Sequence, residues 1–169
     1  IYGLTTYYKG AAVMHNLRGY LGDTLFRQAM HDVLIAHAYS TLDAAGLRDA
    51  LETSTGYDLH PFFQDQVFTP GFSVFVVHSM SAQQAGNSWN VDLSVQQKLR
   101  GTTAFHHQVP LDITLIGAQG QRQEYRETVD GEYTDVPLVA DFEPKMAVLN
   151  GHNHLNQARM DNEMTLVPG

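Results

Sequence analysis

The sequence predicts an α+β fold: an antiparallel α-helical subdomain of about four helices, followed by an antiparallel β-sandwich of about seven strands. Three observations predict it. Apolar residues recur at helical spacing as far as residue 67, they alternate with polar residues from residue 72 onward, and Pro70-Gly71 separates the two regimes. Side chains three and four apart share a helix face, whereas side chains two apart share a strand face, so a change of apolar period is a change of element type. Two domains are therefore expected, residues 1–70 and residues 71–169.

The first helix is expected over residues 8–21, where Ala11, Ala12, Met14, Leu17 and Leu21 form one stripe. Gly22 reads as its stop and Asp23 as a cap for the second helix. That helix is expected to reach residue 37, with Phe26, Ala29, Met30 and Val33 on one side. Ser40 with an acid, Asp43, three residues on suggests a capping box before the third helix. Leu47, Ala50, Leu51 and Ser54 share a face of it, and Gly56 ends it. A fourth, short helix over residues 58–67 carries Leu59, Phe62 and Phe63 inward. Short loops between these helices imply antiparallel neighbours.

Strands are expected over residues 73–78, 89–95, 109–115, 125–129, 133–139, 146–149 and 164–167. In the second, Trp89, Val91, Leu93 and Val95 alternate with Asn90, Asp92 and Ser94, which gives one face to a core and one to water. Asp130-Gly131 between the fourth and fifth strands is a hairpin signal. About seven short strands with turn residues between them read as a sandwich.

Charge and composition exclude several functions. Ten Lys and Arg against 18 Asp and Glu leave a net charge of -8 at pH 7, and no basic cluster is present, so a nucleic-acid partner is not expected. There is no Cys, hence no disulfide framework, thiolate zinc site or Cys nucleophile. No apolar run approaches the roughly 20 residues of a membrane-spanning helix. The sequence opens at Ile1 on a Tyr-rich segment without a basic-then-apolar leader, and residue 1 is expected to be a cut inside a longer protein.

An ordered series of short matches runs the length of the chain. Tyr7-Tyr8-Lys9-Gly10-Ala11 is followed by an apolar helix, Leu21-Gly22 and Phe26; then come His37-Ala38-Tyr39, Thr41 with Ala45, Ser54-Thr55-Gly56, Asp58-Leu59, Phe62-Phe63 and Pro70-Gly71. Gln96-Gln97, Val109-Pro110-Leu111 and Phe142-Glu143-Pro144 continue it. Together these resemble the M1 family of zinc aminopeptidases, gluzincins, from the later helices of the catalytic domain into the β-sandwich behind it. Two departures stand out: the family has Glu where Tyr8 stands and Trp where Gln66 stands.

The resemblance implies a parent protein that removes N-terminal residues from peptides with one zinc, held by a His-Glu-x-x-His helix and a later Glu. Two His four apart share a helix face, which is why that spacing binds metal. Nothing in the chain matches it. His31 and His37 are six apart, His152 and His154 two apart, and no His is followed by Glu. The fragment is therefore expected to bind no zinc and to have no peptidase activity alone. Its expected partners are the remaining N-terminal part of the same protein and, in the parent, the peptide substrate. A non-catalytic M1-like scaffold for protein interaction is the competing reading, decided by whether the zinc motif lies upstream. A free-standing sandwich module with a helical cap is a third.

Counted back from Lys9-Gly10, Tyr7 falls where the resemblance implies a catalytic Tyr, whose hydroxyl donates a hydrogen bond to the oxyanion of the transition state. Tyr8 is the candidate if the register is shifted by one, and Tyr2 matches a Tyr of the leukotriene-hydrolase branch but reads as structural. Other residues have blander readings. His152-Asn153-His154 hints at a nuclease motif but reads as a polar turn between late strands. His106-His107 would point to opposite faces of a strand. Phe62, Phe63, Phe68, Phe72 and Phe75 read as core.

Overall fold

The computed structural model describes residues 3–102, 104–156 and 164–166. Helices α1 (Leu4–Leu21), α2 (Asp23–Ala36), α3 (Ala44–Thr55) and α4 (His60–Phe63) come first, and a π-helical turn over Gln64–Phe68 closes them. Seven strands follow: β1 (Phe72–Ala85), β2 (Ser88–Arg100), β3 (Val109–Gly117), β4 (Arg122–Val129), β5 (Tyr133–Ala140), β6 (Pro144–Leu149) and β7 (Met164–Leu166). The α+β class and the order of helices then strands are as the sequence predicts. Val167, expected in the last strand, lies outside the described residues.

The helices differ from expectation at their ends. α1 begins at Leu4, so Tyr7 lies inside the helix and not ahead of it. It stops where Gly22, at φ 77°, donates its N–H to the Arg18 carbonyl. α3 is capped by Asp43, whose carboxylate accepts from Gly46 N at 2.8 Å. The Ser40 capping box is not formed: Ser40 Oγ donates instead to the His37 carbonyl, closing the end of α2. Gly56 ends α3 in the left-handed region at φ 72°, where a residue without Cβ carries no steric penalty. The expected fourth helix is one α-turn that widens at Gln64, and Thr69 N reaches back five residues to the Gln64 carbonyl. Leu17, Ala29, Val33, Leu51, Leu59, Phe62 and Phe63 form the helical core.

The strands build two antiparallel sheets, β1-β2-β5 and β4-β3-β6-β7. Their facing sides alternate as the period of two requires: Val91, Leu93 and Val95 of β2 and Leu111, Ile113 and Leu115 of β3 are all 1% exposed or less. β1 and β2 are longer than expected, and β1 shifts register between Val77 and Ser79.

An expectation about strand pairing is overturned. Asp130-Gly131 does not close a hairpin, because β4 pairs with β3 and β5 pairs with β2 in the other sheet. The turn carries the chain across the sandwich. Gly131, at φ 67°, provides the left-handed residue that a tight turn and a corner both need. Gln97 then fixes the crossing, its N–H donating to the Glu132 carbonyl and its Nε2 to the Gly131 carbonyl.

The two cores meet at Tyr20, which packs against both. Its ring lies edge-on to Phe62 with centroids 4.7 Å apart. No helix among the described residues is long and apolar enough to cross a membrane.

Candidate functional site

Tyr7 and Tyr8 sit near the start of α1, 67% and 71% exposed. Neighbouring helix residues are about 100° apart, so the two side chains leave in different directions. Tyr7 shares a stripe with Gly10, Met14 and Leu17, at i+3, i+7 and i+10. Gly10, Met14 and Leu17, with Thr6 and Val13, wall an apolar groove of about 490 Å³, closed on its other sides by Leu47 of α3, Phe63 of α4 and Val67 of the π-turn. Thr6 is the groove's first-turn residue, and Tyr7 beside it is not part of the lining. Tyr8 shares its stripe with Ala11, His15 and Arg18, the side that turns toward the loop after β6. Tyr2 lies outside the described residues.

That loop and α1 make a polar seam. His15 Nε2 lies 2.7 Å from the Asn153 carbonyl, Asn156 N donates to Asn16 Oδ1 at 2.7 Å, and Arg126 of β4 donates to the Gly19 carbonyl. A Cβ on Gly19 would stand 2.2 Å from the His154 carbonyl oxygen, so only glycine permits this approach.

His152 and His154 do lie in a polar turn, with their rings stacked at 5.5 Å. The structure adds acids that the sequence hides: Glu124 of β4 is 3.0 Å from His152 Nε2, and Asp112 of β3 is 2.5 Å from His154 Nδ1. Arg126 also binds Asp112, at 2.8 Å. Each acid thus has a cationic or imidazole partner of its own.

His106 and His107 part as adjacent residues should. His106 is 2% exposed, while the His107 side chain is open to solvent and its backbone N–H donates to buried Asp65 at 2.7 Å. Gln66, which replaces the Trp of the resemblance, hydrogen-bonds both Asn16 and His106. Phe62, Phe63 and Phe75 are core, whereas Phe68 and Phe72 are 49% and 42% exposed, against their reading as core.

A grouping that sequence reasoning missed brings Glu52, Asp58 and His60 within 4.8 Å of one another where α3 turns into α4. Each carboxylate also accepts a backbone N–H at the start of α4, from Leu59 at 2.8 Å and from His60 at 3.0 Å. The group does not have the helix-face spacing of a His-Glu-x-x-His zinc site.

Residues 1–66 match the sequence model of the peptidase family M1 domain. The chain is 28% identical over 156 residues to aminopeptidase N of Streptomyces lividans, covering 86% of this chain and 18% of that protein. It is 25% identical over 121 residues to tricorn protease-interacting factor F2 of Thermoplasma volcanium, covering 72% of this chain and 15% of that protein. Its fold is that of part of Legionella pneumophila aminopeptidase A, solved in complex with aspartic acid, at a TM-score of 0.71 and 14% identity, over 91% of this chain and 17% of that one. These matches make the chain similar to a stretch of M1-type aminopeptidases, in which the helices resemble the peptidase family M1 domain. The chain spans less than a fifth of each relative.

Proposed function

We propose that the chain is a segment of an M1-type zinc aminopeptidase, in which residues 1–70 end the catalytic domain and residues 71–169 form a structural β-sandwich. Its own contribution to chemistry is the hydroxyl of Tyr7. The observation that carries this is the place of Tyr7, two residues before Lys9-Gly10 in the segment that matches the M1 model and exposed near the start of α1. M1 membership implies zinc in the parent. The residues of this chain do not fit that metal: no His-Glu-x-x-His occurs in the sequence, and the Glu52 and Asp58 carboxylates are taken up by backbone N–H groups at the start of α4. The role assigned here is therefore confined to hydrogen bonding.

When a scissile peptide carbonyl is attacked, its oxygen gains negative charge. A phenol is an uncharged donor at neutral pH and can donate a hydrogen bond to that oxygen. Because the charge exists only in the transition state, the bond lowers the barrier more than it strengthens substrate binding. The peptide, and the rest of the protein against which the apolar groove packs, are the partners this requires.

In the intact parent, Tyr7→Phe is expected to lower kcat about a hundredfold or more while KM stays nearly unchanged. Tyr8→Phe, on the other stripe, is expected to change activity by no more than a few-fold. Full activity in Tyr7→Phe, or the reverse pattern, defeats the assignment.

A further inference from the structure

Between the helices and the sandwich lies a chain of polar side chains whose directions can be worked out from one end. Asn156 N is a backbone donor, so the Asn16 oxygen is the atom that faces it, at 2.7 Å. The Asn16 amide nitrogen then points the other way and donates to Gln66 Oε1 at 3.2 Å. That turns Gln66 Nε2 toward His106, where it meets Nδ1 at 3.1 Å. An amide nitrogen can only donate, so His106 Nδ1 accepts and the ring proton of the neutral imidazole sits on Nε2. The backbone of His106 is held as firmly: its N–H donates to Gln97 Oε1 at 2.6 Å and its carbonyl accepts from Gln97 Nε2 at 3.0 Å.

The His106 Nε2–H so defined is buried without a protein partner, and so is the hydroxyl of Tyr20 on α1. Among the described residues these two are the buried side-chain polar atoms left unsatisfied. Leaving such groups unpaired is costly, and native proteins rarely do so. Both residues line the same small cavity, together with Asn16, Gln66, Ser73 and Asn156, and it leaves about 10 Å³ open to the centre of a water-sized sphere. That is the room one water needs, and two polar partners meet its minimum.

We infer that this cavity is a binding site for a single water molecule, which accepts from His106 Nε2–H and bonds the Tyr20 hydroxyl, so joining the sandwich to α1. A metal cation does not suit the site, because the imidazole nitrogen facing it carries a proton. A polyatomic anion does not suit it either, because the cavity admits one non-hydrogen atom. The water completes a relay that begins at Asn156 and ties three segments far apart in sequence.

The test uses the full chain at neutral pH. Long-range 1H–15N correlation spectra should show His106 as the Nε2–H tautomer, and water–protein cross-relaxation spectra should show a long-lived water beside the His106 and Tyr20 rings. Tyr20→Phe should shorten that water's residence and leave the tautomer in place, whereas Tyr57→Phe at an exposed ring should change neither. A charged or Nδ1–H His106 overturns the relay. The correct tautomer with no long-lived water, or an unchanged water in Tyr20→Phe, overturns the bridge.

Discussion

At the scale of single residues, His106 is kept uncharged by its surroundings. Burial pushes its pKa down, the Asp65 carboxylate pulls it up by less, and His107 pushes it down again, so it lies below the usual histidine value. The unfolded chain therefore binds a proton that the folded chain resists, in the window from the lowered folded value up to about 6.5. With more protons on the unfolded state, stability rises with pH through that window and is lost as pH falls. Protonation would also place a donor on Nδ1 opposite the Gln66 amide nitrogen. Unfolding midpoints of wild type and His106→Gln at pH 7.5 and pH 5.5 check this. The wild type is expected to lose more stability on acidification than the variant, a comparison that separates His106 from the eight other histidines; equal losses would end the argument. The sequence showed correctly that His106 and His107 diverge. It could not show the partners, because Gln66 and Asn156 lie 40 and 50 residues away. Tyr7 was legible only through its spacing from Lys9-Gly10, and its placement inside α1 came from the structure.

At the scale of elements, local signals were read well where a glycine ends a helix and poorly where a side chain had to find its partner. Gly22 and Gly56 end their helices as expected, since each occupies a backbone conformation that favours glycine. The sequence placed the cap of α3 at Ser40, with Asp43 only as its acid three residues on. Asp43 is the cap instead, because it directly precedes the helix and its carboxylate reaches Gly46 N, whereas Ser40 is taken up by the His37 carbonyl. Asp43→Ala is expected to cost about 1 kcal/mol and Ser40→Ala only a few tenths, measured by chemical denaturation. If the two cost the same, the cap has been misplaced. The Asp130-Gly131 turn failed for a different reason. Its chemistry reports a left-handed residue and a reversal, both present, but not which strand lies on the other side. That is settled by burial: Val136, Leu138 and Ala140 of β5 face the core from beside β2. A pairing of this length, roughly 40 residues apart, leaves no local trace.

At the scale of the molecule, two hydrophobic cores and one polar seam divide the work. Sheet on sheet buries the sandwich core on both faces, while the helical core is covered on one side and carries the groove beside α1 on the other. Leu34, Ile35 and Tyr39 at the end of α2 add further apolar surface, 66%, 65% and 110% exposed. Large exposed apolar surface is unusual for a monomer and drives association, since removing each Å² of it from water is worth roughly 25 cal/mol. The net charge of -8 opposes this by mutual repulsion. The two effects respond differently to salt. Repulsion between exposed charges is screened beyond roughly 10 Å at 0.1 M ionic strength and beyond about 3 Å at 1 M, whereas apolar association is not weakened. The isolated 169-residue chain is therefore expected to be closest to monomeric at low salt and to self-associate as sodium chloride is raised. Static light scattering over a salt series checks it. A constant monomer mass up to 1 M salt would mean that the groove and the end of α2 need no cover, and that the helical face is not where the rest of an M1 protein packs.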